Sequence, residues 1–90
     1  MHDFDISEKL RRILKKLSKK DSVRLQATLK KMGEIRAGES TEHYKNLSYE
    51  MKEFKRVHID SHFVLVFRFE RANKKIWFED LQHHDTIYKR

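Results

Sequence analysis

The sequence predicts an α+β fold in which an N-terminal strand and a helical hairpin pack on a small antiparallel β-sheet, in the order β-α-α-β-β-β. Three observations support this prediction. Apolar residues recur at helical spacing between residues 7 and 38, they alternate with a period of two after residue 51, and no proline interrupts either pattern. Ninety residues are enough for one domain, spanning residues 1–90, with a limited core.

The chain is expected to begin with a short edge strand and a first helix. Phe4-Asp5-Ile6 alternates as a short strand does. Ser7 is a typical helix N-cap, and Glu8 in the first turn suits the helix dipole. The apolar stripe that follows consists of Leu10, Ile13, Leu14 and Leu17. This helix is expected to end near Ser18.

A second helix is expected after a connection formed by residues 18–21. Asp21 or Ser22 would cap it, and it would end near Gly38. Its apolar stripe consists of Val23 or Leu25, Leu29, Met32 and Ile35. Two short helices with so little apolar surface are not stable alone, so the sequence indicates that they lie on a sheet.

Three strands are expected in the second half of the chain. Met51 to His58 would form the first strand, and Ile59-Asp60-Ser61 the turn after it. His62 to Phe69 is the strongest strand signal, because it is β-branched and aromatic throughout. Arg71 to Lys74 would form the second turn, and Lys75 to Gln82 the last strand.

Alternation assigns the side chains of these strands to two faces. The middle strand would present to the core Phe63, Leu65, Phe67 and Phe69, and to the other face His62, Val64, Val66 and Arg68. On the preceding strand one face would hold Lys52, Phe54, Arg56 and His58, and the other Lys55 and Val57. The sequence leaves the register between the strands open, and a shift of one residue would exchange the faces.

Positive charge is concentrated in the predicted helices. The chain has a net charge of +7, and between Ser7 and Arg36 it carries eleven Lys or Arg residues against three acids. A basic segment of this kind suits a phosphate backbone or an acidic protein partner. The alternative is a solvated helix face that only keeps the domain soluble.

The composition also excludes several classes of protein. No segment approaches the roughly 20 apolar residues of a membrane helix, and no apolar N-terminal stretch resembles a secretory signal. The chain has no cysteine, which excludes disulfides and thiolate metal sites. We therefore expect a cytoplasmic protein with no membrane partner.

Histidines carry the clearest chemical signal. Four of the six fall within the last 33 residues, namely His58, His62, His83 and His84. Because the unperturbed pKa of histidine lies near neutrality, such a cluster can supply both a base and an acid. The alternative for each is a surface or structural histidine, and adjacent residues on an extended tail would point apart.

The same four histidines could bind zinc. However, His58 and His62 flank a predicted turn, and no acid or cysteine completes an obvious ligand set. We therefore expect no metal and no other cofactor.

The order of the elements, the length and two tracts of sequence resemble the RelE/ParE superfamily of toxins. The first tract joins Leu47, the basic strand 52–58 and the apolar strand 63–67, and the second is the tail 83–90. Within the superfamily the sequence is most similar to the YafQ branch. The residues that carry this similarity are Tyr44, Lys45, Leu47, His58, Phe63 to Phe67, His84 and Tyr88.

This resemblance implies a RelE-like fold and the toxin of a type II toxin–antitoxin system. Such a toxin enters the ribosomal A site, cleaves mRNA and is neutralised by a cognate antitoxin. Three positions depart from the pattern. His62 stands where the YafQ branch has an acid, and Val64 where an arginine is common in the RelE branch. The histidine that precedes the loop leucine is displaced, with His43 and Lys45 as the candidates for its position.

The expected chemistry is acid–base cleavage without a metal, giving a 2′,3′-cyclic phosphate and a 5′-hydroxyl. His84 would be the general acid, and His58 or His62 the base. The expected RNA-binding residues are cations for the phosphate and an aromatic ring that stacks on a base: Lys52, Lys55, Arg56, Lys89 and Tyr88.

Two functions without catalysis stay open. A ParE-like toxin binds DNA gyrase and would act through its helical hairpin. A plain nucleic-acid-binding domain would use the basic segment from Ser7 to Arg36.

Overall fold

The predicted element order is confirmed, with one short helix added at the end. The computed structural model describes residues 2–38 and 54–87. Its elements are β1 (Asp3–Ile6), α1 (Glu8–Lys20), α2 (Ser22–Ala37), β2 (Lys55–His58), β3 (Phe63–Glu70), β4 (Lys75–His83) and α3 (His84–Ile87). The predicted beginning of the first meander strand, residues 51–53, lies outside the described residues. None of the described helices is long and apolar enough to cross a bilayer.

The four strands form one mixed sheet in the order β1-β4-β3-β2. β2, β3 and β4 make the predicted antiparallel meander. β1 is an edge strand, as predicted, but it pairs in parallel with β4, with Asp3 opposite Lys75 and Ile6 opposite Phe78. Parallel neighbours need a long crossover connection, and the helical hairpin together with the first two meander strands supplies it.

A single residue, Asp21, connects the two helices of the hairpin. Ser7 caps α1 as predicted, accepting a hydrogen bond from the Leu10 amide at 3.1 Å. α1 continues past the expected end at Ser18 to Lys20, because lysines in the last turn suit the helix dipole. Asp21 is therefore the whole connection: its amide donates to the Leu17 carbonyl at 2.9 Å. Its carboxylate accepts from the Arg24 amide at 3.1 Å and so caps α2.

The hydrophobic core lies between the hairpin and one face of the sheet, here called the helix-covered face. Its members are Leu10, Met32, Ile35, Leu65, Phe67, Ile76, Phe78 and Leu81, with Phe63 and Phe69 packed against them. This confirms the predicted core side of the middle strand. Val64 and Val66, on the opposite face, are also buried. We call that opposite side the far face.

A β-bulge in β4 changes the alternation of its side chains. Val66 pairs with Asp80 and Phe67 with Phe78, so Glu79 has no partner in the β3 ladder. Leu81 therefore joins Phe78 on the helix-covered face, although an odd spacing of three positions would place them on opposite faces of a regular strand. Because the alternation resumes after the bulge, everything beyond it is on the face opposite to the one that an uninterrupted strand would give.

We predict that Leu10→Ala destabilises the fold far more than Leu29→Ala. Leu10 is fully buried, whereas Leu29 on the outer side of α2 is 44% exposed. Truncating the buried leucine should lower the free energy of unfolding by about 2–5 kcal/mol, and truncating the exposed one by less than about 1 kcal/mol. Urea unfolding followed by circular dichroism measures both, and equal losses would contradict this packing.

Candidate active site

The four C-terminal histidines meet at one end of the sheet. His58 ends β2, His62 lies in the turn before β3, His83 ends β4 and His84 begins α3. The end of β2, the start of β3 and the end of β4 are neighbours because the three strands are antiparallel. We call this group of four residues the histidine corner.

The rings of the histidine corner form two pairs. His58 and His84 are stacked, with centroids 5.4 Å apart and ring planes 27° apart. His62 lies 5.8 Å from His83, and His83 also meets the edge of Phe63 at 5.4 Å. The structure therefore brings His84 to His58, whereas His62 pairs with the other residue of the 83–84 dipeptide.

The bulge and α3 explain why adjacent residues join different pairs. Beyond the bulge, His83 is the cross-strand partner of Phe63, which packs against the core side of the sheet. The sequence suggested that His84 lies on an extended tail, but in the structure it begins α3. Its amide donates to the His62 carbonyl, and the Asp85 amide donates to His83 Nδ1 at 3.2 Å. These bonds turn the chain into α3.

Asp60 organises the turn that holds His62. Its Oδ1 accepts from the amides of His62 at 2.8 Å and Phe63 at 2.9 Å, and Ile59 and Phe63 close the turn through their backbones. These bonds draw His62 out of the strand that the sequence predicts it to begin. The other carboxylate oxygen of Asp60, Oδ2, accepts from Arg24 Nε at 3.2 Å.

The turn also sets the ionisation of Asp60. Partial burial by itself would raise the pKa of this carboxyl. The hydrogen bonds from the His62 and Phe63 amides and from the Arg24 guanidinium outweigh burial, and together they hold the pKa of Asp60 below its ordinary value. The carboxylate is therefore charged throughout the range in which histidines titrate.

Asp85 is a member of the site that the sequence analysis missed. Its carboxylate lies 3.6 Å from His84 Nδ1 and 3.9 Å from His83 Nδ1. The signal was present in the sequence, where this acid directly follows the two histidines. Its side chain is 83% exposed, and both distances exceed those of a hydrogen bond. Water therefore screens much of its effect on either ring.

The two predicted cations of β2 lie on different faces. Lys55 is opposite Phe67 on the helix-covered face, whereas Arg56 is opposite Val66 on the far face, which it shares with His58. Only Arg56 is therefore on the same face as a histidine of the stacked pair. The remaining predicted RNA-binding residues lie outside the described residues: Lys52, Tyr88 and Lys89.

Within residues 2–38 and 54–87, no group of three or more histidine or acidic side chains is arranged to hold a metal ion. The geometry of the stacked pair is consistent with this finding. Rings that stack present their faces to each other, whereas imidazoles that share a metal direct nitrogen lone pairs at one point.

Comparisons with known proteins give close relatives in sequence, although no family model matches the chain. A protein of Methanocaldococcus jannaschii named "Putative toxin RelE4" is 50% identical over 90 residues, which are all of this chain and 94% of that protein. A Methanosarcina mazei protein described only as uncharacterized is 42% identical over 88 residues, covering 98% of this chain and all of that one.

Solved structures with low sequence identity share the fold. A metal-bound toxin from Helicobacter pylori has a TM-score of 0.76 at 22% identity, covering 98% of this chain and 100% of that one. A YoeB/ParE toxin from Agrobacterium tumefaciens has a TM-score of 0.69 at 10% identity, covering 91% of this chain and 98% of that one. YafQ from Escherichia coli has a TM-score of 0.66 at 14% identity, covering 98% of this chain and 99% of that one. They confirm a helical hairpin packed on a small sheet.

We predict that the stabilising effect of Asp60 disappears in acid. Asp60→Asn keeps an oxygen for the turn amides but loses the ion pair with Arg24, so at pH 7 it should cost up to about 1 kcal/mol. The folded-state pKa lies below the unfolded value. The charge therefore stabilises fully above the unfolded pKa of about 3.9, and the effect is lost as pH falls through the folded pKa.

Urea unfolding of both proteins from about pH 7 down to about pH 3 checks this prediction. The difference between wild type and Asp60→Asn should stay constant near neutral pH and then shrink as the pH falls below the unfolded pKa of about 3.9. Asp3→Asn, at an exposed residue of β1, controls for the loss of one negative charge. A difference that persists unchanged at the lowest pH would show that the charge of Asp60 does not stabilise the fold.

Proposed function

This chain belongs to the RelE-type toxin superfamily, and from that premise we propose that it is an endoribonuclease that cleaves mRNA in the ribosomal A site and so inhibits translation. The observation that carries the proposal is the stacked pair of His58 and His84, with centroids 5.4 Å apart. Two imidazoles at this distance can reach the two oxygens of one phosphodiester that exchange protons in RNA cleavage.

The pair favours His58 over His62 as the base. His58 would remove the proton of the ribose 2′-hydroxyl, and the resulting oxygen would attack the adjacent phosphorus. As the bond from phosphorus to the 5′-oxygen breaks, His84 would give its proton to that oxygen. The products are a 2′,3′-cyclic phosphate and a 5′-hydroxyl. His62, whose ring pairs with His83, would hold the corner in shape.

The cations of β2 would complete the chemistry. Arg56 shares that face with His58, and a guanidinium there would stabilise the charge of the phosphorane. Lys55 is on the other face at the same strand edge, where it would contact a neighbouring phosphate of the substrate. Lys52, Tyr88 and Lys89 remain proposed RNA-binding residues on the grounds of the sequence resemblance alone.

The outer surface of α1 supports binding to RNA. Seven cations of this helix are exposed against one exposed acid. They are Lys9, Arg11, Arg12, Lys15, Lys16, Lys19 and Lys20. Phosphates of ribosomal RNA are a partner of matching charge, and a ribosome-directed nuclease would act in the cytoplasm.

A cognate antitoxin is the second partner, and it follows from membership of a toxin–antitoxin family. We propose that it lies over the helical hairpin. There α2 exposes two apolar side chains, Val23 at 80% and Leu29 at 44%, and α1 exposes its cations. An acidic peptide with an apolar helical face would cover the two side chains and neutralise the lysines.

The same basic surface also supports the second candidate, a nucleic-acid-binding domain without catalysis. A ParE-like toxin that binds gyrase is the third. Neither function requires the stacked pair, so loss of the histidines separates both from the nuclease.

We predict that His84→Ala abolishes growth arrest and slows RNA cleavage by about 10²–10⁴-fold, because the leaving oxygen loses its proton donor. His58→Ala should have an effect of the same order, and His62→Ala a smaller one. Induced expression followed by primer extension on a translated reporter mRNA measures arrest and cleavage together. His2→Ala is the matched control, since His2 packs on Phe69 at the other end of β3.

Two results would contradict the nuclease. Growth arrest with intact mRNA, unchanged by His84→Ala, would favour gyrase binding through the hairpin. No arrest with salt-dependent RNA binding would favour the plain binding domain. In-frame cleavage that needs translation would support action in the A site, whereas cleavage of free RNA at the same rate would limit the proposal to an ordinary ribonuclease.

We predict that cleavage proceeds unchanged in EDTA and leaves a 2′,3′-cyclic phosphate, which mass spectrometry of the fragments detects. The Helicobacter pylori toxin of the same fold is metal-bound, so whether cleavage by this chain needs a metal has to be tested directly. Stacked imidazoles do not aim their nitrogens at a common ion, and acid–base chemistry needs none. Activity lost in EDTA and restored by zinc would place a metal in the reaction.

A further inference from the structure

The histidine corner is tied to the helical hairpin through one arginine. Arg24, in the first turn of α2, donates from Nε to Asp60 Oδ2 at 3.2 Å and from Nη1 to Asp21 Oδ2 at 2.8 Å. Its guanidinium carbon lies 3.9 Å from the centre of the Phe63 ring. One planar group therefore contacts two carboxylates with its edge and an aromatic ring with its face.

These contacts require an arginine. A guanidinium can point separate N–H groups at two acceptors while its face covers a ring, whereas a lysine ammonium is a single point charge on a flexible stem. Asp21 is fixed in turn, because it caps α2 and forms the whole connection between the helices. Asp21 therefore fixes the arginine relative to the helical hairpin, and the same arginine contacts Asp60 in the turn.

Asp60 passes this constraint to the histidines. Its second oxygen binds the amides of His62 and Phe63, so its position fixes where His62 leaves the turn. The carbonyl of His62 accepts from the amide of His84, and the Phe63 ring meets His83. A displacement of the turn would therefore move His62 directly and His84 through its own backbone.

The contacts lie at the edge of the molecule rather than in its core. The side chains of Arg24 and Asp60 are 26% and 37% exposed, and neither belongs to the core cluster. Ion pairs with this exposure add little to stability. Their arrangement around a reactive corner is better explained by the need for accurate geometry in a site built on a turn.

We propose that Arg24 and Asp60 are positioning residues, which fix the turn before β3, hold His62 in place and thereby orient His84 for reaction. This inference rests on the proposed nuclease only for its effect on rate. The orientation of the rings can be measured without any RNA.

The test is NMR of the imidazole groups in the purified chain. In Arg24→Leu and Asp60→Asn the ring signals of His62 and His84 should differ from those of wild type. The signals of His2, at the far end of β3, should not. Arg11→Leu is the matched control, because it breaks another partly exposed pair, Arg11 with Asp5 at 3.1 Å, away from the corner.

Kinetics supply the second measurement. Arg24→Leu should lower kcat for RNA cleavage by about 10-fold to 100-fold, as small misplacements of reacting groups do, and leave KM nearly unchanged. The double variant Arg24→Leu/Asp60→Asn should be no slower than Arg24→Leu, because each substitution removes the same ion pair between Arg24 and Asp60. Arg24→Lys should restore less than half of the lost rate, since it keeps the positive charge but not the planar guanidinium that contacts both carboxylates.

The two arms separate failure of this inference from failure of the proposed function. Imidazole signals identical to wild type in both variants would overturn the inference, whatever the activity. Changes of equal size in Arg11→Leu would overturn it as well, because they would reflect a general loosening. If wild type cleaves no RNA but the His62 and His84 signals respond selectively, the positioning role stands and the nuclease does not.

Discussion

The pairing of β3 with β4, with its one-residue shift at Val66 and Phe67, is the constraint on which the rest of the structure depends. β3 has a neighbour on each side, so its register fixes the position of every other strand. Its helix-covered side supplies much of the core, and its first residue, Phe63, contacts the histidine corner through His83. The bulge then decides which face each residue near the end of β4 takes, and so which ring His84 can reach.

Much of the fold could be predicted from the sequence because its signals are local. Helical and strand periods predicted the order of elements. The N-cap Ser7 was recognisable, and Asp21 was one of two candidates with Ser22, because a side-chain oxygen at such a position satisfies free amides. The bulge at Glu79 carries no glycine or other local mark. The parallel pairing of β1 with β4 depends on where the whole crossover returns, which no short window of sequence contains.

The histidines of the candidate site were predictable from the sequence, but their partners were not. Few side chains can exchange protons near neutral pH, so the four histidines could be selected by chemistry alone. Which ring meets which depends on register and on the bulge, and both are properties of the sheet. Arg24 was one of eleven cations in a basic segment, and nothing in its neighbours along the chain distinguishes it. Its role is visible only through Asp60, which lies far away in sequence.

The parallel pairing of β1 with β4 has a consequence for synthesis of the protein. The first strand finds its partner only among residues 75–78, and the histidine corner needs His83 and His84 as well. Contacts between such distant parts of a chain form late and slowly. A growing polypeptide thus holds neither the complete four-stranded sheet nor the complete histidine corner until residues 75–84 have been made.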